Sequence, residues 1–204
     1  MKKILLALAF AGVLLTGAAR AEVETGKAAP DFSFTDSSGA AHKLSDFKGK
    51  TVVLEWTNPG CPFVKKFYGA KAMQKFQTTK FKGLDIVWVA INSSAKGKEG
   101  FLENDADAQK WTKENGFNGT YYTRDVTGVI GKAYGAKTTP HMFVIDKDGV
   151  LQYQGAIDSI KSPDAADITK ADNYVLSALK ALSEGAKPAV TSSEPYGCGV
   201  KYGD

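Results

Sequence analysis

The stretch from Thr51 to Val64 constrains the fold of this chain more than any other part of it. It begins with an apolar run rich in β-branched residues, which is typical of a buried strand, and continues through a Pro-Gly turn. Cys61 follows the turn, and Pro62 after it is well tolerated in the first turn of a helix. The segment therefore predicts a strand, a turn and a helix, with a single cysteine where the helix begins.

The position of Cys61 predicts a reactive thiol. The first turn of a helix presents unpaired backbone N–H groups and the positive end of the helix dipole, and both stabilise a thiolate relative to a thiol. Lys65 and Lys66 add positive charge one turn later. The alternative is an inert buried cysteine, because cysteine is often buried. Position, rather than residue type alone, favours the nucleophile.

The first 21 residues predict a cleaved signal peptide. A lysine-rich start precedes an apolar run that is too short to anchor the chain across a bilayer, and small residues flank a cleavage site after Ala21. An uncleaved membrane anchor is the alternative. We expect a mature chain that begins near Glu22, is periplasmic or secreted, and has no membrane attachment after cleavage.

Charge and length limit the remaining possibilities. The chain carries a net charge of +4, and three of these charges lie in the signal peptide, which leaves +1. No block of basic residues is present, so nucleic acid is not an expected partner. The mature chain of about 180 residues predicts one domain, residues 22–186. An irregular tail, residues 187–204, follows it and carries the second cysteine, Cys198.

Hydrophobic periodicity predicts an α/β fold. A parallel strand–helix–strand unit precedes an antiparallel hairpin and a final helix, which indicates a mixed central sheet flanked by helices. The predicted strands are residues 29–34, 41–44, 51–56, 84–91, 142–145 and 150–153, and the predicted helices are residues 62–79, 104–115, 126–134 and 171–182.

This order of elements resembles the thioredoxin superfamily, and within it the redoxins of the alkyl hydroperoxide reductase/thiol-specific antioxidant type. Residues 29–32 and 44–50 resemble the N-terminal β extension of redoxins. Cys61 lies where thioredoxins have the first cysteine of Cys-x-x-Cys, and Glu55 lies where they keep a buried carboxylate. Thr139-Pro140 precedes the hairpin as the cis-proline loop does in that family. The resemblance implies the thioredoxin fold.

The chain departs from the two thiol motifs that the resemblance implies, the thioredoxin Cys-x-x-Cys motif and the peroxiredoxin signature. Val64 stands in place of the second cysteine of Cys-x-x-Cys, so no dithiol cycle can run within the motif. Leu54 and Asn58 stand where the peroxiredoxin signature has proline and a hydroxyl residue, and Thr57 lies one position away from the latter. The whole pattern is most similar to a peroxiredoxin-like branch of the redoxins.

The resemblance implies a secreted thiol oxidoreductase in which Cys61 attacks a disulfide or a peroxide oxygen. We hypothesise that Cys198 resolves the oxidised Cys61, within one chain or across a homodimer. Glu55 is either a proton shuttle with a raised pKa or a structural partner of Lys82 or Lys137. Protein thiols and disulfides, small peroxides and an external thiol reductant are the expected partners, with no cofactor and no metal.

Candidate substrate contacts gather at one rim of the predicted sheet, because the carboxyl ends of parallel strands share an edge. A cis bond at Thr139-Pro140 would expose backbone groups to an extended substrate. A helix-capping loop is the simpler alternative for Asn92. The predicted substrate-binding residues are Thr57, Asn58, Pro59, Gly60, Asn92, Thr139 and Pro140.

Three other functions stay open from the sequence. The first is a peroxiredoxin-like peroxide reductase. The second is a non-catalytic binding module in which Cys61 and Cys198 form a structural disulfide. The third is a metal chaperone, because Cys61, His141 and Met142 carry the thiolate, imidazole and thioether groups that suit copper(I).

Overall fold

The computed structural model describes residues 23–203, so the predicted signal peptide lies outside the described residues. Two short 3-10 turns, Leu44–Phe47 and Ala165–Asp167, accompany the regular elements. In chain order these elements are β1 (Ser33–Thr35), β2 (Ala41–Lys43), β3 (Thr51–Trp56), α1 (Pro62–Gly69), α2 (Ala72–Thr78), β4 (Ile86–Asn92), α3 (Asp105–Glu114), β5 (Tyr121–Arg124), α4 (Val129–Tyr134), β6 (Thr138–Thr139), β7 (His141–Ile145), β8 (Leu151–Gly155), α5 (Tyr174–Ser183) and β9 (Cys198–Gly199).

The central sheet is mixed, as the sequence predicts. Its five strands lie in the order β5-β4-β3-β7-β8. β3, β4 and β5 run parallel to one another, whereas β7 runs antiparallel to β3 and to β8. β1 and β2 form a separate antiparallel hairpin, which is the predicted N-terminal extension.

β3 lies at the centre of the molecule, and all six of its residues are buried. Because successive side chains of a strand point to opposite faces, β3 supplies both layers of the core. Val53 packs with α1, α2 and α5 on one face. Leu54 and Trp56 pack with α4 and the N-terminal hairpin on the other. Burial of each fully buried aliphatic side chain of this kind contributes about 2 kcal/mol to the free energy of unfolding.

Four elements differ from the sequence prediction in more than their bounds: the two-residue strands β6 and β9, the helix after Cys61, and β5. The single helix predicted over 62–79 is two helices, because Lys71 adopts a left-handed conformation with φ of 59° between α1 and α2. The side chain of Gln74 then donates to the Tyr68 carbonyl at 3.0 Å, which also accepts from the Lys71 N–H at 3.1 Å where α1 ends. β5 was not predicted, because a strand of four residues is too short to show a clear hydrophobic alternation.

Residues 190–203, which we call the C-terminal segment, lie across the carboxyl ends of the parallel strands. The segment contacts β8 through a backbone hydrogen bond from Gln154 to Thr191, and it reaches the end of β4 through one from Ala95 to Lys201. Most of it is irregular, as predicted, but Cys198 and Gly199 form β9 against β6. Within residues 23–203 no helix is both long and apolar enough to cross a membrane.

Candidate active site

Cys61 is the N-cap residue of α1, as the sequence predicts. Its backbone N–H donates to the carbonyl of Asn58 at 3.1 Å, and its own carbonyl accepts from Lys65 at 2.9 Å. The side chain is fully buried, and Sγ donates to the carbonyl oxygen of Thr139 at 3.0 Å. The thiol therefore lies between the start of α1 and the loop that leads into β7.

Asn58 shapes the turn that carries Cys61. Its Oδ1 accepts from the backbone N–H of Gly60 at 2.7 Å, and its Nδ2 donates to Ser94 Oγ and to the Glu99 carbonyl at 3.1 and 2.9 Å. These bonds tie the turn to the loop after β4. The polar atoms of Asn58 are thus engaged inside the protein.

Asn92 holds the other side of the same loop. Its Nδ2 donates to the carbonyl of Gly100 at 2.8 Å, and its Oδ1 accepts from the Ser94 N–H at 3.0 Å. Gly100 has φ of +76°, and a Cβ there would lie 2.0 Å from Asn58 Oδ1. The position accepts only glycine without a shift of Asn58.

The remaining residues of the predicted rim have different surroundings. Thr57 is buried, its N–H donates to the Ile91 carbonyl at 2.9 Å, and its Oγ1 has no hydrogen-bond partner among the described residues. Pro59 and Gly60 are partly exposed. The Glu99 side chain lies 2.6 Å from where a Cβ of Gly60 would be, so the loop after β4 packs closely on the turn.

The peptide bond between Thr139 and Pro140 is cis, as the resemblance implies. β6, which ends at Thr139, pairs antiparallel with β9, and Thr139 lies directly opposite Cys198. The Thr139 carbonyl that accepts from Cys61 therefore belongs to the strand that holds Cys198. This pairing brings together two cysteines that are far apart in sequence.

Both cysteines are free thiols in the structure, and Cys198 is only half-buried. Burial raises the pKa of Cys198 to about 12, and the Cys61 thiol, which is its hydrogen-bond neighbour, adds to the rise. Cys198 packs against the cluster that contains Cys61, and it stays protonated at neutral pH.

Glu55 is fully buried under α1 and is held by neutral donors. Trp88 Nε1 donates to Oε2 at 2.8 Å, Tyr68 Oη donates to Oε1 at 3.0 Å, and Gln77 Nε2 donates to Oε2 at 3.3 Å. Burial raises the pKa of Glu55 to about 7 although these hydrogen bonds oppose the rise. The structural alternative required a lysine partner, and neutral side chains fill that role.

Lys66 has a different environment from the one expected of a charge beside the thiol. Its side chain is fully buried, and Nζ donates to the Ser162 carbonyl at 2.9 Å. Nζ also lies 3.9 Å from Asp158 Oδ2. The expectation that both lysines support Cys61 is therefore wrong for Lys66, whose ammonium group is engaged by the segment after β8.

Tyr196 is a site residue that the sequence analysis missed. It is buried, its hydroxyl donates to Asp158 Oδ1, and its ring packs edge-on against Phe63 at 5.7 Å between centroids. An aromatic residue beside proline and glycine in an otherwise polar tail was the available signal.

His141 and Met142 do not converge on one site with Cys61. Met142 packs in the same cluster as Cys61, whereas its neighbour on β7 points to the other face of the sheet. His141 Nδ1 accepts from the Lys137 N–H at 3.2 Å, and burial lowers the pKa of His141 to about 3. In the described part of the chain no three histidine, cysteine or acidic residues are grouped as metal ligands would be.

Comparisons with known proteins identify the family of the chain. Residues 24–175 match the family model described as Redoxin. The thiol-disulfide oxidoreductase ResA of Bacillus thuringiensis subsp. konkukian is 33% identical over 130 residues, which cover 63% of this chain and 67% of ResA. Chloroplastic peroxiredoxin Q of Oryza sativa subsp. japonica is 28% identical over 136 residues, which cover 65% of this chain and 58% of that protein.

A solved structure extends the likeness to nearly the whole molecule. The crystal structure of a hypothetical protein from Sinorhizobium meliloti 1021 superposes with a TM-score of 0.69 at 26% identity, and the match covers 90% of this chain and 97% of that one. The family model alone covers more than half of the chain. The chain therefore belongs to the redoxin family and is a thiol-dependent oxidoreductase of that family.

Proposed function

We propose that the mature protein is a periplasmic or secreted thiol-disulfide oxidoreductase in which Cys61 is the nucleophile and Cys198 the resolving thiol. One observation carries the proposal: the β6–β9 pairing holds Cys198 opposite Thr139, the residue whose carbonyl accepts from the Cys61 thiol. The likeness to ResA, whose name describes this reaction class, supports it. The predicted signal peptide supports the location.

The reaction is a pair of thiol–disulfide exchanges. The Cys61 thiolate attacks one sulfur of a substrate disulfide, a mixed disulfide forms, and the other substrate sulfur leaves as a thiolate. Cys198, after losing its proton, attacks Cys61 Sγ, so a Cys61–Cys198 disulfide forms and the second substrate thiolate leaves. The substrate is reduced by two electrons and the protein is oxidised by two. An external thiol reductant restores the protein by the same steps in reverse.

Glu55 is our candidate for the proton acceptor that serves these steps. A group with a pKa of about 7 exchanges protons readily at neutral pH, and Glu55 lies beneath the helix that Cys61 caps. We expect Glu55→Gln to lower the exchange rate and to remove an inflection near pH 7 from its pH profile. An unchanged profile would leave Glu55 with a structural role.

Asn58 favours disulfide exchange over peroxide reduction. It occupies the position at which the peroxiredoxin signature has a hydroxyl residue, and its polar atoms are already bonded to Gly60, Ser94 and Glu99. It therefore has little capacity left to hold a peroxide oxygen. Because the chain also resembles peroxiredoxin Q, peroxide reduction is the alternative reaction that the experiment compares with disulfide exchange.

The test is to treat the reduced protein with oxidised glutathione and, separately, with hydrogen peroxide, and to map cysteine linkages by mass spectrometry. We expect a Cys61–Cys198 disulfide with glutathione disulfide, a trapped Cys61 mixed disulfide in Cys198→Ser, and no reaction at Cys198 in Cys61→Ser. A faster reaction with peroxide would favour the peroxidase. An oxidised protein without the Cys61–Cys198 linkage would contradict the proposal.

A further inference from the structure

The C-terminal segment lies where a substrate peptide would have to bind. We propose that this segment is an internal substitute for the extended, cysteine-bearing strand of a protein substrate, and that substrate enters by replacing it on the edge of β6. The inference rests on the proposed exchange at Cys61. It adds the step that admits an extended protein substrate, which is displacement of the C-terminal segment from β6.

The pairing of β6 with β9 is the first support. β9 adds to the edge of β6 as an antiparallel strand, with Thr138 opposite Gly199 and Thr139 opposite Cys198. A backbone hydrogen bond of 3.1 Å from Val200 to the carbonyl of Lys137 continues the contact. Addition of an extended peptide to a sheet edge is a general mode of peptide recognition, and it depends on the backbone rather than on one sequence. A foreign strand could make the same bonds.

The position of Cys198 within that strand is the second support. It is the residue opposite Thr139, whose carbonyl accepts from the Cys61 thiol, so Cys198 lies close to Cys61. A substrate strand in the same register would present its own sulfur to Cys61 in the same way. Cys61 is fully buried under the segment, and an attacking thiolate must contact the sulfur that it attacks. An external disulfide therefore reacts only after the segment has moved.

Side chains on either side of Cys198 fasten the segment, in addition to its backbone hydrogen bonds with β8, β6 and the loop after β4. Before Cys198, the ring of Tyr196 packs on Phe63 and its hydroxyl donates to Asp158. After Cys198, Lys201 lies 3.6 Å from Glu99 and the Tyr202 hydroxyl donates to the Ala136 carbonyl at 2.8 Å. The paired strand between these anchors is two residues long. Such a fastening can open locally while the core stays folded.

The anchor at Asp158 is incompletely satisfied. Its Oδ2 is buried and has no hydrogen-bond partner among residues 23–203, and the nearest ammonium, Lys66 Nζ, is 3.9 Å away. A buried oxygen without a partner costs free energy. The Tyr196 hydroxyl, which donates to Oδ1, is therefore the contact that the segment itself makes with this carboxylate.

Gly197 and Gly199 offer a matched pair of variants. Gly197 has φ of +138°, and a Cβ there would lie 2.1 Å from the Thr139 carbonyl oxygen. An alanine cannot fit at 197 while β9 stays paired. A Cβ at Gly199 would meet no described heavy atom within 4 Å, and its φ is not positive. The two substitutions add the same methyl group on either side of Cys198, but only Gly197→Ala lifts the segment.

The experiment measures formation of the mixed disulfide at Cys61 in a Cys198→Ser background, so that no internal disulfide competes. The substrate is a disulfide-linked pair of extended eight-residue peptides. We expect Gly197→Ala to raise the second-order rate constant at least tenfold, and Gly199→Ala to stay within twofold of the parent. An added peptide with the sequence of residues 194–201, carrying serine at the cysteine position, should inhibit Gly197→Ala by competition.

Three results separate the possible failures. Equal rates in the parent and in a folded Gly197→Ala variant, checked by its thermal melt, would overturn the inference. A rate increase without inhibition by the added peptide would also overturn it, because the edge of β6 would then not bind a foreign strand. If Cys61 forms no mixed disulfide in any variant, even with oxidised glutathione, the proposed function itself fails.

Discussion

β3 and the C-terminal segment each bring a cysteine to the same place, but they do so by different means. β3 is buried along its whole length and is hydrogen-bonded on both sides, by β4 and by β7, and the turn and helix that follow it fix Cys61. The C-terminal segment relies on a two-residue strand and a few side-chain anchors to hold Cys198. The core thus fixes the nucleophile, whereas removable contacts hold its partner thiol.

Truncation of one residue in each region should give the largest contrast. Leu54 in β3 is fully buried, so Leu54→Ala should lower the free energy of unfolding by about 3 kcal/mol through lost burial and the cavity left behind. Tyr196→Ala should change global unfolding far less, because the segment detaches separately. Denaturant titration measures both. Equal losses would mean that the segment is part of the core.

Glu55 should make the stability of the core depend on pH. Its pKa is about 7 in the folded protein against an ordinary value of 4.5, so the folded state binds the extra proton between those values. The contribution of Glu55 to the free energy of unfolding is therefore largest below pH 4.5, and this contribution is lost as the pH rises from 4.5 through 7. Relative to Glu55→Gln, the wild type should lose about 3 kcal/mol between pH 4 and pH 8. Parallel stability curves for the two proteins would contradict this expectation.

Alanine substitutions at two glycines in the loop after β4 should distinguish the cost of a steric clash from the cost of backbone strain alone. Gly97→Ala should cost about 1 kcal/mol, because its φ is +78° but a Cβ there meets no described atom within 4 Å. Gly100→Ala should cost about 2 kcal/mol and also slow exchange at Cys61, since the new Cβ displaces Asn58. Similar costs and rates for both variants would mean that Asn58 does not hold the turn.

Lys201 should give the smallest effect. Its pair with Glu99 is partly exposed at 3.6 Å, so Lys201→Ala should change the free energy of unfolding by less than about 0.5 kcal/mol. Alkylation of Cys61 measures how fast the segment opens. At low salt the segment of Lys201→Ala should open slightly faster than that of the wild type, and at high salt the two rates should be equal. A large effect that persists at high salt would mean that Lys201, and not Tyr196, is the main contact that holds the segment.

Local patterns explain what the sequence could predict. The apolar run of β3, the Pro-Gly turn and Pro62 encode a strand–turn–helix on their own, and the resemblance supplied the cis bond at Pro140. The hairpin of β7 and β8 likewise follows from two apolar runs around a turn.

What the sequence could not predict depends on distant partners. β9 exists because two residues of the tail meet β6, and nothing in its own composition distinguishes it from a loop. Lys66 is buried because Ser162 and Asp158 receive its ammonium group. Glu55 was found from its position, but its neutral donors Trp88 and Gln77 come from other elements, and sequence spacing does not reveal such contacts.

The connection between α5 and β9 has a consequence for competition. Residues 184–197 link the last residue of α5, Ser183, to Cys198, and this tether keeps the segment near β6 at an effective concentration on the order of millimolar. A foreign strand present at micromolar concentration must therefore bind this edge about a thousandfold, or roughly 4 kcal/mol, more tightly than the tethered strand does. The length of the tether, as much as any side chain, sets the affinity threshold that a protein substrate must pass.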